Sequence, residues 1–121
     1  MQKLCAACKR RRRPSAYTLS PTFGRRVHNR CDDCQREYMR DHNLKMRYGI
    51  SLAQYEELCD AQQGRCLVCK DEAERLVVDH CHTSGKIRGL VCSPCNLALG
   101  QAKDDPARLI ALAKYLWRRG Y

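Results

Sequence analysis

The chain has 121 residues, of which 30% are charged, with a single Phe, a single Trp and a net charge of +10. A chain this short and this charged cannot bury a large apolar core, so some other staple has to hold it. No apolar run approaches the roughly 20 residues that cross a bilayer, and residues 1–14 carry Lys3 and the basic run 9–13 where a secretory leader would need an apolar centre. The ten cysteines are therefore expected to sit in a reducing, cytoplasmic setting and to hold metal rather than form disulfides.

In chain order, the pair Cys5/Cys8 comes first, followed by the stretch K-R-R-R-R-P-S-A-Y-T-L-S-P-T-F-G-R-R. Pro14, Pro21 and Gly24 break that stretch into turns, so it reads as a loop or short hairpin rather than a helix. Cys31/Cys34 follow. Residues 32–48 hold no Pro or Gly and space Cys34, Tyr38, Leu44 and Tyr48 roughly as a helix does. That predicts a basic helix, with Arg36, Arg40 and Arg47, ended by Gly49. Ser51-Leu52-Ala53-Gln54 is a capping-box pattern and predicts a second helix over 52–62, stopped by Gly64.

After Cys66/Cys69, residues 76–79 and 87–91 are β-rich and flank 83–86, the pattern of a hairpin. Cys92/Cys95 come next, and a short helix is expected from near Pro94 to Gly100. Asp105-Pro106 opens a last helix with Leu109, Leu112, Ala113, Leu116 and Trp117 on one face. That stripe reads as core packing; the alternative is a docking face for a partner or a homodimer.

Eight cysteines thus form four Cys-x-x-Cys pairs, each partner gap being about two dozen residues. Two thiolates at that spacing bend the backbone around an ion, and a second pair completes a tetrahedron. The expectation is two structural Zn2+ sites, one on Cys5, Cys8, Cys31 and Cys34, the other on Cys66, Cys69, Cys92 and Cys95. Cys59 reads as a small buried hydrophobe, and Cys81 lies between two histidines. Zinc ligation by His80, Cys81 or His82 in place of a knuckle thiolate is the rival assignment.

The charge is uneven. Residues 1–50 hold 13 Lys/Arg against four Asp/Glu, a net +9, whereas residues 51–121 hold ten against nine, a net +1. Four thiolates on each zinc lower the formal total from +10 to about +6 and leave the first half basic. A polyanion, nucleic acid first, is the partner this implies, with Arg10, Arg11, Arg12, Arg13, Arg25 and Arg26 as the candidate contacts. The bland alternative is a solvated basic surface.

The second half orders knuckle, strand, Asp79-His80, turn, strand, knuckle and then Asn96 on a helix. This order, with Asp79-His80-Cys81-His82, Gly85-Lys86-Ile87-Arg88-Gly89-Leu90 and Cys92-Ser93-Pro94-Cys95-Asn96 followed by Ala98-Leu99-Gly100, resembles the ββα-metal (His-Me finger, or HNH) nucleases. It is closest to the recombination endonuclease VII family of phages. The resemblance spans about residues 48–101 and implies a small α+β fold. A ββα-metal core with a four-cysteine zinc site would occupy 49–121, preceded by a zinc-knuckle and basic-helix module over 1–48.

It implies further a phage-encoded or bacterial DNA endonuclease, nicking or cutting branched DNA, with His80 as general base. One Mg2+, for which Mn2+ could substitute, would be held by Asp79 and Asn96. Phosphodiester hydrolysis needs an activated water and stabilised charge on phosphate and leaving oxygen, and an imidazole suits the proton transfer. Lys86 and Arg88 are expected at phosphates. His82 shares a strand face with His80 and is read either as a phosphate-positioning group or as an ordinary hairpin residue. The competing function is a zinc-stabilised nucleic-acid-binding protein without catalysis.

Overall fold

Each knuckle turns the chain through a residue in the left-handed region: Lys9 (φ 57°) after Cys8, and Lys70 (φ 65°) after Cys69. In both, the first cysteine closes the turn twice. The N–H of Cys5 donates to Arg10 O (3.0 Å) and Cys5 O accepts from Lys9 N (3.1 Å); Cys66 does the same with Asp71 and Lys70 (3.0 Å each). The computed structural model describes all 121 residues and divides into two units, Met1–Leu52 and Ala53–Tyr121.

In the first unit, β1 (Lys3–Leu4) and β2 (Arg11–Arg12) pair antiparallel around the knuckle, with Lys3 opposite Arg12. A 3-10 turn (Pro14–Ala16) and a small hairpin bridged at Leu19 and Arg26 follow, as the Pro and Gly positions imply. Then comes α1 (Asp32–Tyr48), begun by Cys31 in extended conformation and ended by Gly49 at φ 72°. Asp32 and Asp33 lie in its first turn and Lys45 and Arg47 in its last, each sign complementing the helix dipole. Its side chains stay largely in solvent. The core here is Cys5, Tyr17 and Cys31 with Ala16 and Cys34 against them. The thiol cluster is therefore itself the centre of the unit.

The second unit begins within α2 (Leu52–Ala61) and continues through β3 (Val77–His80), β4 (Ile87–Val91), α3 (Ser93–Gln101) and α4 (Pro106–Trp117). Tyr55, Leu76, Val78, Leu90, Val91 and Ala102 are buried. The Tyr55 hydroxyl donates to Leu76 O at 2.5 Å, tying α2 to the approach of β3. β3 and β4 form an antiparallel hairpin in which Val77 faces Val91, Asp79 faces Gly89 and His80 faces Ile87. That register leaves Arg88 as an extra residue, a β-bulge beside Asp79.

Gln62 stands in for a further strand beside β4: its amide nitrogen donates to Leu90 O (2.8 Å) and its oxygen accepts from Leu90 N (3.0 Å). α3 packs against β3. It ends in a Schellman turn, where Lys103 N donates to Gly100 O (3.0 Å) and Asp104 N to Leu99 O (2.9 Å). Asp105 then caps α4, its Oδ1 accepting from Ala107 N at 3.0 Å.

The apolar stripe of α4 departs in part from the core-packing expectation. Leu109 and Ala113 are half-buried, but Leu112, Leu116 and Trp117 are 54%, 48% and 66% exposed. Periodicity shows that a helix has an apolar face, not what covers it. The buried apolar residues of this unit come from α2, the hairpin and its lead-in, and the end of α3, so α4 adds little to that core.

The two units share a frame. Cys5, Cys8, Cys31 and Cys34 each recur 61 positions later as Cys66, Cys69, Cys92 and Cys95. Backbone hydrogen bonds recur at the same interval. Ala6 N to Asn29 O (2.9 Å) matches Leu67 N to Leu90 O (3.1 Å), and Ser20 N to Arg25 O (2.7 Å) matches Cys81 N to Lys86 O (2.8 Å). Gly24 N to Ser20 O (2.9 Å) matches Gly85 N to Cys81 O (2.7 Å), with both glycines at positive φ. Each unit is thus a knuckle, a hairpin and a helix begun by the second cysteine pair.

Candidate metal centres and active site

The sulfurs of Cys5, Cys8, Cys31 and Cys34 lie within 4.8 Å of one another, and so do those of Cys66, Cys69, Cys92 and Cys95. A tetrahedron with Zn–S bonds near 2.3 Å has S···S edges of about 3.8 Å, and Cys69 and Cys92 stand 3.9 Å apart. Backbone N–H groups also point at the sulfurs: Cys31 N to Cys5 Sγ at 3.2 Å, Val68 N to Cys66 Sγ at 3.4 Å. Both clusters fit structural zinc.

Those donors set the thiol acidities. The Cys31 N–H brings the Cys5 thiol down to about 6 against the effect of burial. Burial pushes Cys66 up, but the N–H groups of Cys69, Cys92 and Val68 outweigh it and bring that thiol to about 6 as well. Cys34, hydrogen-bonded to Cys31 and partly desolvated, is pushed up to about 12, and Cys95 likewise through Cys92. Each metal-free cluster favours one thiolate stabilised by its backbone, while other thiols keep protons that zinc binding would release.

The zinc frame of the second unit carries the candidate chemistry. Cys92 caps α3 and Cys95 lies in its first turn, so Asn96 follows directly, its N–H donating to Cys92 O at 3.0 Å. Asp79 and His80 end β3. On the opposite strand Gly89 is pressed by the knuckle; a Cβ there would lie 2.6 Å from Leu67 Cδ2. The rings of His80 and His82 are 4.8 Å apart at 54°, although β3 ends at His80 and His82 lies in the turn beyond it. Cys81, between them, has its thiol brought down to about 7 by the Ser84 hydroxyl and the nearby backbone. Asn96, His82 and Lys86 are exposed and His80 half-buried.

Asp79 is 8% exposed, and both of its oxygens are taken. Arg88 reaches across the bulge with Nε on Oδ2 and Nη2 on Oδ1, each at 2.8 Å. The same Nη2 also donates to Asp104 Oδ1 at 3.2 Å. Asp79 first and Asp104 second hold this guanidinium in its charged form well beyond the usual arginine range. Of the six candidate arginines in the first unit, Arg10, Arg11, Arg13 and Arg25 are exposed. Arg12 is drawn onto Asp33 at 2.6 Å, and Arg26 lies over the Tyr17 ring at 5.1 Å.

A model of the recombination endonuclease VII family matches residues 41–118. The chain belongs to the recombination endonuclease VII family. Among curated relatives it is 43% identical over 73 residues to the Gene 59 protein of Mycobacterium phage D29, covering 57% of this chain and 44% of that protein. It is also 43% identical over 61 residues to the Gene 59 protein of Mycobacterium phage L5, covering 47% and 37%. The chain therefore spans less than half the length of these relatives. Among solved structures, the ββα-Me type II restriction endonuclease Hpy99I aligns over 98% of this chain and 66% of its own, with 23% identity and a TM-score of 0.42. No helix of the chain is long and apolar enough to cross a membrane.

In this endonuclease VII family member, two residues of the site's surroundings escaped the sequence. Asp104 had a faint signal: of the adjacent Asp104 and Asp105, only one is needed to cap α4. Gln62 had none, since a helix-terminal glutamine is ordinary until its amide is seen against Leu90.

Proposed function

We propose that the chain is a metal-dependent DNA endonuclease whose reaction centre is Asp79, His80 and Asn96. The observation that carries the reading is the environment of Asp79: a nearly buried carboxylate with a cationic group on both oxygens. It adjoins His80 and lies on the strand that packs against the helix of Asn96. A place that holds a guanidinium between carboxylates suits a hard cation with oxygen ligands. Asp79 and Asn96 would hold one divalent ion, Mg2+ or Mn2+. When bound, it supplies Lewis-acid stabilisation to the phosphate and the leaving 3′ oxygen.

The chain's own residues do the rest. His80 takes the proton of the attacking water on an imidazole nitrogen. His82, its ring tilted beside that of His80, orients that ring and the phosphate, and Lys86 meets a phosphate from the exposed hairpin turn. The zinc cluster does no chemistry. It binds the knuckle behind Gly89 to the start of α3, and so fixes strand and helix together.

Met1–Leu52 supplies most of the DNA affinity in this reading. At the positions matching Asp79, His80 and Asn96 it has Thr18, Leu19 and Gln35, so its frame lacks both acid and base. It carries the basic surplus instead.

Plasmid nicking with Mg2+ omitted and restored is the test. His80→Ala should keep both zincs and lose about 10²–10⁴-fold in rate; undiminished cutting by that variant would remove His80 from the role of base. The basic surplus of residues 1–50, a net +9, is the observation that favours the rival reading, a non-catalytic nucleic-acid-binding protein. Salt-sensitive DNA binding with no cleavage in Mg2+ or Mn2+ would establish that rival.

A further inference from the structure

Arg88 stands between two carboxylates, and each is placed by an unusual piece of backbone. On one side the β-bulge between Asp79 and His80 leaves Arg88 without a cross-strand partner and turns it onto Asp79. On the other, the turn after α3 puts two consecutive non-glycine residues in the left-handed region, Lys103 at φ 57° and Asp104 at φ 54°. Glycine is the usual residue at the first of these positions. Such conformations persist where the surroundings over-determine them, and the Asp104 carboxylate ends 3.2 Å from Arg88 Nη2. Asp105 already caps α4, so Asp104 is not needed there.

We propose that Arg88 is a displaceable occupant of the metal site and that Asp104 is the residue that positions it. The guanidinium neutralises Asp79 until a divalent cation takes that carboxylate. Asp104 then keeps the guanidinium beside the site, and the N–H groups released from Asp79 turn to a substrate phosphate. The inference rests on Asp79 being a metal ligand. Its charge logic is simple: a nearly buried carboxylate needs a cation at every stage, and a guanidinium that occupies both oxygens must give up at least one of them to a metal ion. Asp104 gives the displaced one somewhere to go without leaving the site.

The test is Mn2+ binding to the full, zinc-loaded chain without DNA, read by titration calorimetry or electron paramagnetic resonance. Asp79→Ala should abolish the binding. If that variant binds Mn2+ as wild type does, the metal-site reading fails and this inference falls with it. Where Asp79 is needed, Arg88→Gln should bind Mn2+ about tenfold more tightly, the loss of one charge-assisted competitor. Asp104→Asn should bind it several-fold more weakly, because Arg88 then has only Asp79. The double variant should match Arg88→Gln alone, since Asp104 acts through Arg88. Unchanged or weaker binding by Arg88→Gln overturns the proposal while leaving the metal site standing. A weakening by Asp104→Asn that persists in the double variant makes Asp104 a ligand and also overturns it. Zinc content and circular dichroism report folding; should Arg88→Gln not fold, Arg88→Lys, which keeps charge but not the two-pronged grip, should shift the affinity in the same direction.

Discussion

Asn96 and Gln35 occupy the same place in two copies of one frame, one residue past the second cysteine of a helix-starting pair and 61 positions apart. The backbone N–H of each donates to the cysteine four residues back, at 3.0 Å from Asn96 to Cys92 O and 2.9 Å from Gln35 to Cys31 O. The scaffold alone therefore does not distinguish the two units. What differs is the chemistry hung on it: Asp79 against Thr18, His80 against Leu19, an amide one methylene longer.

That difference makes a paired prediction. Asn96→Ala should lower the cleavage rate by about 10²-fold or more, the scale of losing one group that stabilises developing charge. Gln35→Ala should leave the rate unchanged. Both should keep two zincs by chelator assay. Equal losses from the two variants would mean that these positions serve the frame and not the reaction.

The frame was legible because its determinants are local. A Cys-x-x-Cys pair turns the chain wherever it stands, and α1 and β4 fall at the bounds that residue type and spacing imply, Asp32–Tyr48 and Ile87–Val91. Other features depend on interactions across the fold. Alternation along β4 does not foretell that Arg88 is a bulge residue aimed at Asp79. Nothing local says that Asp104 will meet the same guanidinium, or that Arg12 pairs with Asp33 and Arg26 lies over Tyr17 while their neighbours stay in solvent. The outer part of the α4 stripe departed for the converse reason, since a clear apolar pattern does not encode what covers it.

Gln62 offers a check on stability separate from chemistry. Its amide satisfies both the N–H and the C=O of Leu90, whose residue is fully buried. Gln62→Ala leaves the N–H without that acceptor, while the C=O still accepts from Leu67 N. The expected cost is about 1–3 kcal/mol of unfolding free energy, measured by urea denaturation of the zinc-loaded protein. Gln62→Glu keeps the acceptor and loses the donor, so it should cost less if the Leu90 N–H is the critical group.

Zinc should leave on acidification. Cys34 and Cys95 stand at about 12 without metal, so zinc binding must release protons, and affinity falls as pH drops. Cys5 and Cys66, at about 6, keep one thiolate per cluster at neutral pH and take up protons below that value, where the fall should steepen. A chromogenic chelator should therefore register zinc release growing from neutrality downward, with helical signal lost alongside it because the clusters anchor the cores. Full zinc retention at pH 4 would be incompatible with thiolate ligation.

The division between affinity and reaction makes the last prediction. Residues 1–50 carry a net +9 and residues 51–121 a net +1, while Asp79, His80 and Asn96 all lie in the nearly neutral part. Of the six candidate arginines, Arg12 is paired with Asp33 and Arg26 covers Tyr17, which leaves Arg10, Arg11, Arg13 and Arg25 exposed to meet phosphates. Removing one arginine–phosphate pairing should flatten the dependence of log affinity on log salt by about 0.9 on duplex DNA. Replacing Arg10, Arg11 and Arg13 with Ala should therefore weaken binding and flatten that slope by up to about three such steps. The cleavage rate at saturating DNA should stay near wild type, because no reacting group is touched. Arg12→Ala should flatten the slope less than its neighbours do, its charge being already committed to Asp33. If the triple variant bound DNA with the wild-type slope, the first unit would be a structural or partner-binding element, and the affinity would have to come from the helices and hairpin of Ala53–Tyr121.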